Sequence, residues 1–219
     1  MAKPQHSSNP NPPNGKAGIR SVNLQKILSA AEEVIAERGY GGATMAMIAE
    51  RAGLPKANLH YYYGTKEQLY LALLEDILTV WLHDADYFHA DADPRQAVRS
   101  YLQVKLEFSR RRPNASKVFA TEVIHGGQYL EQHASNLTQK ILKGMADKYH
   151  AIETWGRKGL IAPMDARQFF IMVWAITQTY ADFEMQVRIL MDRGVLAEGE
   201  WSHISAQVEG FVLRALGLD

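Results

Sequence analysis

Residues 44–67 read TMAMIAERAGLPKANLHYYYGTKE, and the fold prediction starts from this stretch. Thr44 is a favourable N-cap, so a short helix is predicted to begin there and to end at Gly53. Pro55 then starts a second short helix, because its φ angle is already helical and its missing N–H would have had no partner there. Two short helices joined by a tight turn predict a helix-turn-helix. Its second helix, Pro55–Tyr62, would enter the major groove of DNA while the first braces it.

The rest of the chain is also helical in pattern, with apolar residues three and four positions apart and no alternating run that predicts a strand. We therefore expect an all-α fold of nine helices. A disordered tail is predicted at 1–18, a helix-turn-helix DNA-binding domain at 19–66, and a helical ligand-binding and dimerisation domain at 67–219. The nine helices are predicted at 23–38, 44–52, 55–62, 65–88, 94–111, 113–126, 129–156, 165–191 and 200–216.

The composition is that of a globular protein, with 47% apolar and 22% charged residues in 219. The sequence has no cysteine, which excludes disulfides, thiolate zinc sites and thiol catalysis. No apolar run is long enough to cross a membrane and no secretory signal is visible, so a cytoplasmic protein is expected. Residues 1–66 hold eight Lys and Arg against four Asp and Glu, which favours this end for contact with a polyanion.

The helix-turn-helix resembles the DNA-binding signature of the TetR family of bacterial repressors. The positions that carry the resemblance are Thr44, Ile48, Ala49, Ala52, Gly53, Leu59, Tyr61, Tyr62, Lys66, Glu67 and Leu69. Two positions depart from the family pattern, since Pro55 stands where a capping serine is more usual and Tyr63 where phenylalanine is usual. The resemblance implies a homodimer on a palindromic operator in double-stranded DNA, with the two reading helices about 34–36 Å apart.

Base-edge contacts are expected, by this resemblance, from the exposed start of the second helix. The candidates are Lys56, Ala57 and Asn58, with His60 as a further one. Asparagine pairs best with the N6 and N7 atoms of adenine, and lysine with the O6 and N7 atoms of guanine. The alternative for Lys56 is an ordinary solvated lysine.

Phosphate contacts position such a protein without reading sequence, and they are expected from Thr44, Tyr61 and Lys66. Arg20, just before the first predicted helix, is expected to reach a phosphate or the minor groove. Tyr62 is expected to pack between helices instead, because a turn of 100° per residue directs one of three consecutive tyrosines inward.

The C-terminal part resembles the pyrimidine-responsive, RutR-like branch of this family. The resemblance is carried by residues 81–82, 101–110, 113–116 and 174–187, together with Phe119, Glu122 and Gly126. It implies a repressor of pyrimidine catabolism that a uracil-like effector releases from its operator. It also implies a dimer interface built from the helices at 165–191 and 200–216, although their apolar residues fit an intramolecular core equally well.

An effector site is predicted around Trp81, Trp174 and Gln178. Trp174 and Gln178 are four residues apart and therefore share one helix face. A pyrimidinedione is flat, with an N–H flanked by carbonyl oxygens, so an indole can stack on it while a glutamine amide accepts from the N–H and donates to an oxygen. Trp81 would form the opposite wall. The alternative is that both tryptophans are plain core residues.

Lys105, Glu122 and Tyr180 are further candidates for the effector site. A buried ion pair between Lys105 and Glu122 would explain these two residues equally well.

Two other functions fit parts of the sequence. A regulator with a different effector, such as a drug or an acyl compound, has the same DNA chemistry. A di-metal carboxylate enzyme is a remote alternative, because Glu122 and His125, and likewise Glu200 and His203, show the three-residue spacing of such ligands. No nucleophile–base pair or phosphate-binding glycine loop is visible, so we expect no enzyme, no cofactor and no metal site. The acidic run at 83–93 is predicted to be a solvated turn.

Overall fold

The computed structural model of the chain describes residues 16–83, 88–132 and 134–218, and all regular elements in these ranges are α-helices. The all-α prediction is therefore confirmed. None of the described helices is both long and apolar enough to cross a lipid bilayer. The helices are α1 (Lys16–Gly42), α2 (Met45–Ala52), α3 (Lys56–Tyr63), α4 (Lys66–His83), α5 (Pro94–Arg111), α6 (Pro113–Ile124), α7 (Gln128–Gln132), α8 (Ala134–Arg157), α9 (Ala166–Asp182), α10 (Glu184–Leu190) and α11 (Glu198–Ala215).

The described ranges contain eleven helical segments, and one of the nine predicted helices was wrong. The helix predicted at 165–191 is two helices, because the backbone leaves the helical region at Phe183, with φ −114° and ψ 34°. No glycine or proline marks that break in the sequence. α7 and α8 cover residues 128–132 and 134–157 of the helix predicted at 129–156, and residue 133 between them lies outside the described ranges.

The N-terminal boundary also differs from the prediction. α1 begins at Lys16, so residues 16–18 of the predicted tail are helical, while residues 1–15 lie outside the described ranges. α1 continues to residue 42 across a kink at Gly39, whose φ of 68° and ψ of 165° only glycine adopts without strain. α4 is described up to His83, residues 84–87 lie outside the described ranges, and residue 88 is not helical.

One apolar core holds α1 to α4 together. Its centre is formed by Ile27, Ile48, Leu59, Leu69 and Leu73, none of which is exposed to solvent. Residues of α5 and α6 complete the same core, namely Phe108, Ala115 and Val118. The helices of the helix-turn-helix therefore share their core with α5 and α6 of the C-terminal part. The division at residue 66 stays a prediction.

A second core is formed by α5, α8, α9 and α11. Its largest members are aromatic, with Trp155 and Phe170 fully buried around Phe88 at ring-centre distances of 5.1 and 5.4 Å. The indole N–H of Trp155 donates to the carbonyl oxygen of Ala90 at 3.2 Å, so its polar atom is satisfied inside the core. This core packs α5, α8, α9 and α11 against one another.

Arg112 joins the two parts of the chain at the turn between α5 and α6. Its guanidinium donates to Glu32 of α1 at 2.6 Å and to Asp76 of α4 at 2.9 Å, and lies 5.6 Å from the centre of the Phe108 ring. The Glu32 side chain is only 12% exposed. One cation thus pairs with two carboxylates, from α1 and α4, which share a core with the helix-turn-helix.

Candidate DNA-binding surface and effector cavity

The helix-turn-helix is held by local signals that the sequence shows. The Thr44 hydroxyl accepts from the N–H of Met47 at 3.2 Å and caps α2. Gly53 ends α2 in the left-handed conformation, with φ 65°. Leu59 of α3 is fully buried, so it anchors α3 against α1, α2 and α4. The outer face of α3 is therefore presented on a rigid support.

The outer face of α3 carries the residues predicted to read bases. Lys56, Ala57 and His60 are exposed, and Asn58 is half-buried. The Nδ1 atom of His60 lies 2.8 Å from the carbonyl oxygen of Gly64. Because this oxygen can only accept, Nδ1 carries the proton and Nε2 is left as an acceptor in the neutral ring.

The three tyrosines of α3 divide as expected. Tyr61 is 80% exposed, whereas Tyr62 and Tyr63 are half-buried against the N-terminal core. The side-chain amide of Asn23 donates to the Tyr62 hydroxyl at 3.3 Å, which ties α3 to α1. Tyr62 therefore packs between helices, and Tyr61 is the tyrosine available to a phosphate.

Lys66 is engaged within the protein. Its ammonium donates to the carbonyl oxygens of Tyr40 and Ala43 at 2.8 and 3.1 Å, and it lies 4.2 Å from the centre of the Tyr40 ring. It thus ties the start of α4 to the end of α1, a role that its spacing in the sequence does not reveal. Arg20 and Thr44 are exposed on α1 and at the start of α2, and their phosphate contacts stay predictions.

Replacing Lys66 with methionine tests whether this residue stabilises the fold through its hydrogen bonds to Tyr40 and Ala43 or binds a DNA phosphate. The loss of two charge-assisted hydrogen bonds should lower the free energy of unfolding by about 2 kcal/mol, as measured by chemical denaturation. The salt dependence of DNA binding should stay unchanged. A fall of about 0.9 in the slope of log K against log salt would instead show a lost phosphate contact.

Replacing Lys56 with alanine should weaken binding to the operator by about tenfold and relax discrimination at one base pair, because a base-edge contact is removed. Fluorescence anisotropy with operator variants measures both effects. Lys143→Ala on α8 is the matched control, since it removes an equally exposed lysine far along the chain from α3. Equal affinity and equal base preference in Lys56→Ala would exclude this residue from the readout set.

A cavity of about 690 Å³ lies among α4, α5, α6, α8 and α9. Trp81, Trp174, Gln178 and Lys105 all line it. The structure thus brings together four of the six predicted effector residues, from three different helices. The volume lies within the range of about 300–1,000 Å³ that is usual for small-molecule sites.

The two tryptophans of the cavity are held by specific contacts. The indole N–H of Trp174 donates to the hydroxyl of Tyr101 at 2.9 Å. Trp81 packs on Phe119 with ring centres 4.7 Å apart, and its carbonyl oxygen accepts from the Lys105 ammonium at 3.0 Å. Both indoles are half-buried and reach the cavity, so they differ from the fully buried Trp155 of the core.

The polar residues of the cavity that were not predicted from the sequence include Asp182 and Lys148. Asp182 follows Gln178 by four residues and so shares its helix face, a spacing that could have identified it. Burial raises the pKa of Asp182, although the hydroxyl of Ser116 donates to its carboxylate at 2.5 Å. Lys148 is 1% exposed and also lines the cavity, and no signal in the sequence separates it from the exposed Lys143 of the same helix.

Two of the predicted effector residues do not line this cavity. Tyr180 lies two residues beyond Gln178 and hence on a different face of α9, where it packs on Trp201 with ring centres 6.0 Å apart. Glu122 faces α1 and α7 and accepts from the Tyr70 hydroxyl at 3.0 Å and from the N–H of Tyr129 at 2.8 Å. Lys105 and Glu122 thus line different cavities.

The glutamates that suggested a di-metal enzyme have other roles. Glu200 accepts from the N–H of Ala197 and from Arg193, which stabilises the start of α11. Glu122 is engaged as described above. Across residues 16–83, 88–132 and 134–218, no group of three or more potential metal ligands is found. The acidic run at 83–93 lies partly outside these ranges, and its last residue, Asp93, caps α5.

Comparison with known proteins agrees with this geometry. Residues 27–73 match the family model described as bacterial regulatory proteins of the tetR family, and residues 74–219 match that of the C-terminal region of YcdC-like proteins. The chain belongs to the TetR family. As a member, it is a DNA-binding transcriptional regulator rather than an enzyme.

Individual relatives support the assignment to the TetR family. The chain is 39% identical over 199 residues to the HTH-type transcriptional regulator RutR of Escherichia coli strain K12, covering 90% of this chain and 92% of that protein. A TetR-like transcriptional regulator from Rhodococcus sp. RHA1 has the same fold, with a TM-score of 0.62 at 22% identity over 91% of this chain and 98% of that one. FadR of Bacillus subtilis, solved with stearoyl-CoA, gives a TM-score of 0.64 at 17% identity over 88% and 98%.

Proposed function

We propose that this TetR-family regulator is a cytoplasmic homodimeric repressor of pyrimidine catabolism, released from a palindromic operator by uracil or a close relative. The observation that carries the proposal is the convergence of Trp81, Trp174 and Gln178 on one cavity. A flat ring with adjacent N–H and carbonyl groups matches aromatic walls and one amide. The 39% identity to RutR over 90% of the chain supports the same branch.

α4 provides the connection between effector and DNA. Its first residue, Lys66, bonds to the end of α1, and Trp81 near its other end lines the cavity. A ligand that repositions Trp81 therefore acts on a helix whose first half packs against α1, α2 and α3. An effector that weakens DNA binding 100-fold must prefer the released state by about 2.7 kcal/mol.

The dimer surface is proposed on α9 and α11. Ile171 and Met172 of α9 are 52% and 44% exposed, and Phe211 of α11 is 58% exposed. Large apolar side chains exposed on two neighbouring helices favour burial against a second copy of the chain. Sedimentation of the purified protein tests this directly, because Phe211→Glu should shift the equilibrium toward the monomer.

The effector proposal is tested by adding uracil to the protein–operator complex and to the free protein. Uracil should raise the melting temperature and lower operator affinity, whereas 1,3-dimethyluracil, which keeps the flat ring but has no N–H, should do neither. If uracil leaves both unchanged while the operator is still bound, the pyrimidine proposal is wrong and the assignment as a DNA-binding regulator stands.

A second effector class is favoured by the size of the cavity. A volume of about 690 Å³ accommodates ligands larger than one heterocyclic ring, and aromatic and aliphatic side chains such as Leu78, Phe119 and Ile124 line it. A medium-chain acyl-CoA is therefore included in the same assay. Operator release by the acyl-CoA and not by uracil would favour this class.

A further inference from the structure

A second cavity, of about 390 Å³, lies between the kinked end of α1 and the helices α4, α6 and α7. The effector proposal does not use it. Its walls carry three tyrosines and one glutamate, namely Tyr40, Tyr70, Tyr129 and Glu122. α1 packs against α2 and α3, which form the DNA-binding helix-turn-helix, and α6 also lines the effector cavity. The second cavity therefore lies between the DNA-binding helices and the effector cavity.

Glu122 is a buried carboxylate with only neutral partners. Glu122 is 6% exposed, and its carboxylate accepts hydrogen bonds from the Tyr70 hydroxyl and the Tyr129 N–H. No lysine or arginine of the described ranges forms an ion pair with it, and none lines this cavity. A buried anion without a cation is unfavourable, and each carboxylate oxygen here can accept one more hydrogen bond.

The tyrosine rings form a compact cluster around this carboxylate. The ring centre of Tyr40 lies 4.6 Å from that of Tyr70 and 4.7 Å from that of Tyr129, and the last two are 5.2 Å apart. Burial raises the pKa of both Tyr40 and Tyr70, and the negative charge of Glu122 adds to this, so both hydroxyls stay protonated. Neutral tyrosine rings present electron-rich faces that attract cations.

Two further groups set the charge preference of the cavity. His125 at its exposed side has Nδ1 2.7 Å from the carbonyl oxygen of Thr121, which leaves Nε2 as an acceptor in the neutral ring. Lys66 lies over the Tyr40 ring, but its ammonium is bonded to two backbone carbonyls and does not line the cavity. The groups that face the space thus supply acceptors and aromatic faces rather than positive charge.

We propose that this cavity is a second ligand site, which takes a small organic cation, either a quaternary ammonium ion or a protonated amine. The cation would lie against the side of the tyrosine cluster that faces the cavity and pair with Glu122. Since the site lies against the end of α1, its occupancy would also bias the position of the DNA-binding unit. This site is independent of the uracil proposal.

The charge requirement is tested with the native, full-length protein by isothermal titration calorimetry. Tetramethylammonium chloride and butylammonium chloride are the two cationic probes, with tert-butanol and butanol as neutral comparators and sodium chloride as the salt control. Saturable binding of one cation is expected, with a dissociation constant of about 1 mM or tighter. The comparators should bind at least about tenfold more weakly. The cation that binds distinguishes a quaternary ammonium from an amine, and equal binding of the neutral compounds would overturn the proposal.

Variants locate the binding in this cavity. Glu122→Gln keeps the size of the side chain and removes its charge, so cation binding should weaken at least about tenfold. The amide oxygen can still accept from the Tyr129 N–H, and the amide NH2 can donate to the Tyr70 hydroxyl. Tyr129→Leu, which removes one ring, should also weaken it. Glu131→Gln, an exposed acid on α7 outside the cavity lining, is the matched control and should bind as the native protein does. Unchanged cation affinity in a correctly folded Glu122→Gln or Tyr129→Leu protein would contradict the proposal, and circular dichroism verifies folding.

Discussion

Gln178→Leu should abolish the response to uracil while leaving operator binding intact. Leucine has nearly the same size as glutamine but cannot form hydrogen bonds with the N–H and carbonyl groups of uracil. These polar groups of the ligand would then be buried in the cavity without a hydrogen-bond partner. We expect uracil affinity to fall at least about 100-fold, which corresponds to about 2.7 kcal/mol. The thermal shift with uracil and the uracil-dependent release of labelled operator DNA are the two measurements.

The control for this variant is Gln103→Leu. Gln103 is exposed on α5 and does not line the effector cavity, so the same chemical change should leave both measurements as in the native protein. Native-like uracil affinity in Gln178→Leu would remove this amide from the effector site. A Gln178→Leu protein that also loses operator binding would instead indicate a general loss of folding, which circular dichroism detects.

Arg112→Ala should destabilise the protein by about 3 kcal/mol. The guanidinium is the shared cation of Glu32 and Asp76, and Glu32 is only 12% exposed. Its removal leaves two neighbouring carboxylates without a counter-charge at a partly buried junction of α1, α4 and the α5–α6 turn, which costs far more than losing an exposed ion pair. Urea denaturation at a fixed protein concentration measures the free energy of unfolding.

The adjacent Arg111 provides a matched control. It is 71% exposed and pairs with Glu107 on its own helix, so Arg111→Ala should change stability by less than about 0.5 kcal/mol. Similar losses in the two variants would show that the shared contact with Glu32 and Asp76 is not what stabilises the junction. Because Arg112 links α1 and α4 to the C-terminal part, we also expect weaker coupling between effector and operator in Arg112→Ala.

Several features of the site were predictable from local sequence. The cap at Thr44, the left-handed turn at Gly53 and the division between Tyr61 and Tyr62 depend on backbone conformation and helical periodicity within a few residues. Trp174 and Gln178 share a helix face for the same reason, so their meeting at the effector cavity needed only the helix to form.

Other features depend on contacts between distant segments. The break at Phe183 carries no glycine or proline, so periodicity alone predicted one helix through it. Lys66 was predicted at a phosphate, but in the folded chain its ammonium reaches carbonyl oxygens that lie 23 and 26 residues earlier. Glu122 and Tyr180 were grouped with the effector residues, and the packing of α6 and α9 turns them toward other neighbours.

The sequence by itself determined that the chain is all-helical, that residues 44–62 form a helix-turn-helix, and that the chain resembles the TetR family, because caps, turns and apolar periodicity act over short distances. Only the tertiary structure decided which polar side chains face a cavity and which of them are already engaged. The environment of a side chain is set by helices far away in sequence, as when Tyr70 of α4 donates to Glu122 of α6 and α1 lines the same cavity. Spacing along one helix contains no information about those neighbours.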